Sequence, residues 1–180
     1  MEDDDLRRGL AAGDLNRAFR SLRDRYGRAV YGACFQVLRD PASAEDAMQD
    51  TFARAYRKRD KLAAADSLAA YLLKMAHNIS IDHHRTRARR ATIDRARRAE
   101  PPPPADGPAA IEATVQVALD DCLDGLEPTT RLAVVMHHRD DRPWQEIAAI
   151  VELPVDTIRM RAKRALTALG DCLAGKGVEP

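Results

Sequence analysis

The segment WQEIAAIVELPVDTIRMRAKRAL, residues 144–166, consists of two short stretches with helical periodicity and a break between them at Leu153 and Pro154. Apolar residues recur at intervals of three and four in both stretches, which predicts two amphipathic helices. The residues expected to face inward are Ile147, Ile150, Val151, Ile158, Ala162, Ala165 and Leu169. Two short helices joined by a tight turn favour a helix-turn-helix, whose second helix enters the major groove of DNA.

Positive charge is concentrated on the second of these helices, although the whole chain has a formal net charge of only +1. A rotation of about 100° per residue turns Met160 and Lys163 away from the apolar stripe, with Arg159 and Arg164 beside them. In a helix-turn-helix, side chains near the start of the second helix reach base edges and flanking cations hold phosphates. The alternative interpretation is a solvated basic face on an ordinary pair of helices.

A proline-rich segment, RRAEPPPPADGPAA at residues 97–110, separates this region from the rest of the chain. Proline lacks a backbone donor and disfavours helix in the residue before it, so the four consecutive prolines predict a semi-extended linker. We therefore expect a first domain at residues 1–96 and a second at residues 111–175, joined by a flexible linker. A proline-rich ligand for a partner domain is the alternative interpretation of this segment.

Helical spacing continues on both sides of the linker, and no stretch has the alternation that predicts strands. The 180 residues are 45% hydrophobic and 32% charged, which is typical of a globular chain and not of a disordered one. The fold is therefore predicted to be all-α, in two small helical domains. Ser43 and Ser67 are the expected N-caps of two helices in the first domain, and Pro128 is expected in the first turn of a helix in the second.

The three cysteines, Cys34, Cys122 and Cys172, lie far apart and form no CxxC pair. Because any disulfide would leave one thiol over, a reducing compartment is the simpler interpretation. No window approaches the length of a membrane span, and the acidic start MEDDD lacks the order of a signal peptide. We expect a cytoplasmic protein that does not contact a membrane.

The stretch EIAAIVELPVDTIRMRAKRAL resembles region 4 of bacterial RNA polymerase sigma factors of the extracytoplasmic-function (ECF) type. The residues that fit the family pattern are Glu146-Ile147-Ala148, Thr157-Ile158, Arg161 and Arg164-Ala165. Asp156 stands where the family usually has glycine, and Met160 stands where it usually has serine. The resemblance implies that this helix reads the minus-thirty-five promoter element. The residues implied in that contact are Thr157, Arg159, Met160, Arg161, Lys163 and Arg164.

The stretch SAEDAMQDTFARAY resembles the part of sigma region 2 that docks on the clamp coiled coil of the polymerase's largest subunit. An acidic and amide face beside an apolar stripe suits docking on a basic partner helix. The resemblance implies contacts with core RNA polymerase from Glu45, Asp46, Gln49 and Asp50.

The stretch YLLKMAHNISIDHHR resembles the following part of region 2, which melts and reads the minus-ten element. Tyr71 replaces the usual tryptophan and still offers a stacking face, while His77 replaces an arginine and so removes a fixed charge. The resemblance implies minus-ten contacts from Lys74, His77, Asn78, Asp82 and Arg85. In the family, the pocket for a flipped base involves the loop before this helix, here about residues 59–67.

The implied function is that of a transcription initiation factor. It would bind core RNA polymerase, recognise both promoter elements and promote strand opening, with no cofactor, no metal and no catalytic residues. An anti-sigma protein held between the two domains is a further candidate partner.

Three other interpretations remain open from the sequence. They are a helix-turn-helix regulator that acts without core polymerase, a decoy that binds an anti-sigma protein, and a metal-dependent phosphoesterase. The last is suggested only by the triplet Asp82-His83-His84, which lies in a predicted helix with no strand to present further aspartates. His137 and His138 point about 100° apart on a helix, which disfavours a shared metal.

Overall fold

A computed structural model of the chain describes residues 3–12, 15–91 and 108–178, and within these ranges every regular element is an α-helix. The helices are α1 (Asp3–Ala12), α2 (Leu15–Leu38), α3 (Pro41–Arg57), α4 (Arg59–Ala63), α5 (Leu68–Ala91), α6 (Pro108–Asp124), α7 (Pro128–His138), α8 (Trp144–Val151) and α9 (Val155–Gly175). The predicted all-α fold is confirmed. None of the described helices combines the length and the apolar content that crossing a bilayer requires.

Polar side chains define where the helices begin. Ser67 accepts a hydrogen bond from the amide of Ala70 at 3.2 Å, as expected of the N-cap of α5. The predicted N-cap of α3 at Ser43 is wrong, because Asp40 occupies that position and its carboxylate accepts from the Ser43 amide at 2.9 Å. Proline lacks a backbone N–H, but the N–H groups of the first helical turn have no intrahelical partner. Helix α3 can therefore begin at Pro41, earlier than the sequence pattern predicted.

Helices α1 to α5 form the N-terminal bundle, in which α2, α3 and α5 pack against one another. Its largest fully buried side chains are Leu6, Leu22, Val30, Val37, Thr51, Leu62, Leu68 and Leu72. The sequence pattern did not predict α1 or the five-residue α4. Leu6 and Leu10 nevertheless bury α1 against the bundle, and Leu62 is the buried residue of α4.

Helices α6 to α9 form the C-terminal bundle, which contains the predicted helix-turn-helix as α8 and α9. A disulfide joins Cys122 of α6 to Cys172 of α9, with Cα atoms 5.9 Å apart. The expectation of three reduced thiols is therefore wrong for this structure, and only Cys34 is free. Sequence spacing did not reveal the pair, because α6 and α9 come side by side only through the fold.

The two bundles also pack against each other, mainly through α5 with α8 and α2 with α7. One cluster of buried residues contains Leu72 and Ala76 of α5 together with Ile147 and Ile150 of α8. Most of the predicted linker, up to residue 107, lies outside the described residues. Its last three residues, 108–110, begin α6.

Candidate functional site

The second helix of the helix-turn-helix, α9, presents basic side chains to solvent. Its buried residues are the predicted inward set, Ile158, Ala162, Ala165 and Leu169. Of the predicted minus-thirty-five residues, Thr157 is half-buried and the others are exposed: Arg159, Met160, Arg161, Lys163 and Arg164. Met160 is 51% exposed although it is a large apolar residue, so its side chain is available for contact with a group such as a thymine methyl.

The predicted polymerase-contact residues are all exposed on α3: Glu45, Asp46, Gln49 and Asp50. The helix is held from its other side by Ala44, Ala47, Thr51 and Ala55, which are buried. Asp50 accepts from His83 of α5 at 3.2 Å, which is an ion pair when the histidine is protonated. The exposed side of α3 therefore carries acidic and amide groups that a basic partner can reach.

Four of the predicted minus-ten residues, Lys74, Asn78, Asp82 and Arg85, recur along α5 at intervals that keep them on one face. They line an open cleft of about 680 Å³ between the two bundles. Arg54 and Lys58, which the sequence analysis did not single out, add positive charge to the same wall of the cleft. The opposite wall comes from the C-terminal bundle: Glu127, Thr129, Val151, Glu152, Leu153 and Arg161.

His77, the fifth predicted minus-ten residue, lines the same cleft but is largely buried. The residue is only 5% exposed, because α5 turns it toward the C-terminal bundle, where its Nε2 lies 3.3 Å from Thr129 Oγ1. Burial disfavours the charged imidazolium and lowers the pKa of His77. In this arrangement of the bundles, the His77 ring is buried at the contact between α5 and α7.

Glu152 ties the two walls of the cleft together. It ends α8 in the left-handed region, at φ 57°, and forms the turn of the helix-turn-helix. Its carboxylate accepts from Lys74 Nζ at 2.8 Å and from Asn78 Nδ2 at 2.9 Å. The bonds from Lys74 and Asn78 lower the pKa of Glu152. Two predicted minus-ten residues are therefore already hydrogen-bonded within the protein.

Two arginines make further ties between the bundles. Arg39, also left-handed at φ 51°, pairs with Asp120 at 3.0 Å and with Asp124. Arg131 is only 4% exposed and donates to the backbone carbonyls of Gln36 at 2.6 Å and Val37 at 3.3 Å. Those carbonyls belong to the last turn of α2, where a helix leaves its acceptors without intrahelical partners.

Sequence reasoning did not identify Glu152, Arg39 or Arg131 as important residues. The available signal for Arg131 was its position directly before the apolar run LAVVM, in the stretch TRLAVVM. A charge that is buried with such a run needs specific partners. Within the described residues, no three histidine, cysteine or acidic side chains lie close enough together to hold a metal ion. The arrangement offers surfaces for recognition: an acidic one on α3, and basic ones on α5 and α9.

Comparison with known proteins finds matches for both halves of the chain. Residues 22–90 match the family described as Sigma-70 region 2, and residues 116–169 match the family described as Sigma-70, region 4. Among solved structures, RpoE bound to the anti-sigma factor NepR from Bartonella quintana has a TM-score of 0.66 at 22% identity, covering 87% of this chain and 96% of that one. CnrH, solved with the cytosolic domain of CnrY, also has a TM-score of 0.66, at 24% identity, covering 96% of this chain and 97% of that one.

Two similar relatives extend the match to nearly the whole sequence. The ECF RNA polymerase sigma factor SigK of Mycobacterium sp. (strain KMS) is 30% identical over 176 residues, covering 94% of this chain and 90% of the relative. SigK of Mycobacterium ulcerans (strain Agy99) is 31% identical over 181 residues, covering 93% of this chain and 91% of the relative. With both family regions matched in order, the chain belongs to the ECF family of RNA polymerase sigma factors and is a transcription initiation factor.

Proposed function

We propose that the three surfaces divide the work of promoter recognition. The acidic face of α3, with Asp46, Gln49 and Asp50, docks on core RNA polymerase. The α5 face reads the minus-ten element, and the exposed face of α9 reads the minus-thirty-five element. The observation that carries this proposal is the exposed row of cations on α9, directly opposite a fully buried apolar stripe in a helix-turn-helix.

The protein acts by binding and has no catalytic residues of its own. Strand separation is driven by capture of unstacked bases, because the few kcal/mol that unstacking costs can be recovered by pocket and stacking contacts. We infer that it works in the cytoplasm, where its polymerase and promoter partners are found.

The closed arrangement of the bundles has a direct consequence for this function. Lys74 and Asn78 are bonded to Glu152, and His77 is buried against Thr129. DNA cannot occupy the α5 face until α8 moves away, so promoter recognition requires the two bundles to separate. Docking of α3 on polymerase needs no such movement, since its four predicted contact residues are exposed.

An anti-sigma protein is the further partner we propose. The solved RpoE relative is bound to one, and in this chain the cleft between the bundles carries both acidic and basic side chains. A partner seated in the cleft would stabilise the closed arrangement and keep the minus-ten face covered.

The test is in vitro transcription with core RNA polymerase and a library of genomic promoters. We expect transcripts from a subset of promoters that share two spaced elements, and no transcripts from core polymerase alone. A parallel selection of DNA by the chain without polymerase separates this proposal from a simple regulator. Strong sequence selection without core, together with no transcription with core, would contradict the proposal.

A further inference from the structure

The loop between α3 and α5, residues 59–67, is tied to the N-terminal helix by a single side chain. Arg7 of α1 donates from Nη1 to the carbonyl oxygen of Ala63 at 2.8 Å, and from Nη2 to that of Asp66 at 2.9 Å. It also donates from Nη1 to the carbonyl of Ala65. One guanidinium therefore holds three carbonyls of one turn.

These carbonyls need an outside partner for a physical reason. Helix α4 ends at Ala63, and the last carbonyls of a helix have no intrahelical donors. A planar guanidinium with five donors can satisfy several of them at once, and its charge is favourable at the negative end of a helix. With Arg7 in place, these three carbonyls point toward α1 and are not available to a ligand on the outer side.

The helix that carries Arg7 is itself firmly anchored. Leu6 is fully buried and Leu10 is 3% exposed, and Asp3 accepts from the hydroxyl of Tyr26 at 2.5 Å. A Cβ on Gly9 would lie 3.2 Å from that of Ala18, so α1 crosses α2 closely. Arg7 therefore acts from α1, a helix that is held in a fixed position against α2.

The part of the loop that Arg7 holds, residues 63–67, has few side chains with which to recognise a base. Three of its five residues are alanines, and it has no aromatic side chain. Its exposed residues are Ala64, Asp66 and Ser67, whereas Asp60 and Lys61 are exposed at the start of the loop. A base captured by such a loop is therefore recognised largely by the direction of backbone donors and acceptors. That direction is fixed by which carbonyls Arg7 already occupies.

We propose that Arg7 is a positioning residue for base capture, which shapes the loop at residues 59–67 and thereby sets the preference at one position of the minus-ten element. This inference rests on the proposed function, because it takes the loop to be the pocket for a flipped base. Arg7 does not touch the DNA, and acts only through the backbone of the loop.

The chain supplies a matched control in Arg8. This neighbour lies on the same helix but, within the part of the chain that the structure describes, donates only to its own turn, to the carbonyl of Asp4 and the carboxylate of Asp5. Arg7→Ala and Arg8→Ala remove the same side chain from adjacent positions. Only the first releases the loop.

The experiment measures open-complex formation by holoenzyme on a promoter library randomised across the minus-ten element. For Arg7→Ala we expect a change of at least about fivefold in preference at one base position. We expect an unchanged minus-thirty-five preference and parental affinity for core polymerase. Arg8→Ala should match the parent at every position. The change in preference in Arg7→Lys should lie between those of Arg7→Ala and Arg8→Ala, because one ammonium cannot span three carbonyls.

Three outcomes would overturn the proposal: parental preferences in Arg7→Ala, a uniform loss at all sequences, or the same shift in Arg8→Ala. If Arg7→Ala does not fold, Arg7→Lys decides the matter, and a parental profile in that variant counts against the role. A parent holoenzyme with no minus-ten preference would instead refute the proposed function itself. A parent with a clear preference that Arg7 variants leave unchanged would refute only the positioning role.

Discussion

Asp40 and Glu127 are carboxylates that begin helices. Asp40 accepts from the Ser43 amide, and Glu127 accepts from the amides of Thr129 at 3.0 Å and Thr130 at 2.9 Å. For Glu127, burial opposes ionisation, but the bonds from Thr129 and Thr130 outweigh it, and its pKa is lowered. Hydrogen bonds to Ser43 lower the pKa of Asp40 in the same way.

We predict that Glu127→Ala lowers the free energy of unfolding by about 1 kcal/mol at pH 7, the usual loss for a removed N-cap. A carboxylate with a lowered folded pKa stabilises fully above its unfolded pKa, about 4.3. That stabilisation is lost as pH falls through the folded value. Urea denaturation should therefore show a smaller difference in the free energy of unfolding between the parent and Glu127→Ala below pH 4 than at pH 7. Glu127→Asp is the control that keeps a cap, and an equal loss at both pH values would argue against capping.

The acidic face of α3 gives a second residue-scale prediction. Asp46→Lys with Asp50→Lys should weaken binding to core polymerase by about tenfold or more, since close charge pairs at interfaces contribute strongly. The melting temperature should stay near that of the parent, because exposed charges contribute little to stability.

The matched control for this charge reversal is Asp24→Lys with Asp171→Lys, which makes the same charge change at two other exposed positions. Affinity for core polymerase, measured by fluorescence anisotropy, should remain parental in the control. Equal affinity in the α3 variant and the parent would remove this face from the docking surface.

At the scale of the element, we predict that α9 makes base contacts and phosphate contacts with different side chains. Arg159, Lys163 and Arg164 are all exposed on α9, and Arg159 and Lys163 lie nearer than Arg164 to the start of the helix. We predict that Arg159→Ala or Lys163→Ala changes which minus-thirty-five sequences are used, with a loss of about 1–3 kcal/mol at one base position. The minus-ten preference should not change, because we assign the reading of that element to α5.

Arg164→Ala serves as the comparison for this prediction. It should weaken binding to all promoters alike and reduce the salt dependence of that binding by about one counterion. Promoter-library selection on the three variants distinguishes the two effects. If all three lose activity uniformly, with no shift in preferred sequence, α9 is only an electrostatic anchor.

The sequence predicted some elements well and others not at all, and the difference has a physical cause. The helix-turn-helix was predictable because its inward residues follow the helical period, and all seven of them are buried. Helix α1 was missed because three acidic residues fill its first turn and its apolar stripe is only Leu6 and Leu10. Contacts that depend on distant partners, such as Arg131 with the end of α2, leave no periodic signal.

The same reasoning applies to the candidate site. Helical spacing predicts that Lys74, Asn78 and Asp82 share a face, but it cannot tell whether another part of the chain covers that face. Glu152 covers it here, from a turn that lies 74 residues after Asn78. The burial of His77 could not be predicted for the same reason, since it comes from the contact with Thr129 of α7.

At the scale of the whole molecule, the closed arrangement is held by polar ties and by apolar contacts between the bundles. Glu152 binds Lys74 and Asn78, Arg39 binds Asp120 and Asp124, and Arg131 binds the end of α2. Partly exposed ion pairs contribute about 0–1 kcal/mol each, so the buried apolar cluster supplies much of the remaining attraction. Such an interface is stable enough to form and weak enough to open.

Limited proteolysis tests both the division and the packing of the chain. Trypsin should cut first after arginines between residues 87 and 98, because proline protects the peptide bonds just before it in the following segment. The two fragments should then elute together on size-exclusion chromatography, held by the contacts between α5 and α8. A first cut before residue 87 or after residue 110 would contradict the domain division, and separate elution of the fragments would contradict the packing.

A variant with Glu152→Gln and Arg39→Gln sharpens the test. It removes the charge of the Glu152 and Arg39 ties, and it leaves the contacts of Arg131 and the apolar cluster unchanged. We expect the cleaved fragments to associate roughly tenfold more weakly than those of the parent. Fragment association equal to that of the parent would mean that the ties contribute nothing to closure.

Alkylation of the three cysteines can be used to measure unfolding of the chain. Cys34 is fully buried in the N-terminal bundle, and burial raises its pKa to about 11, so little reactive thiolate is present at neutral pH. The other two sulfurs are joined in the C-terminal bundle. An alkylating reagent should therefore label no sulfur in the native chain, one after denaturation, and three after denaturation with reduction. The rate at which the single label appears in the native chain reports how often α2 and α5 come apart.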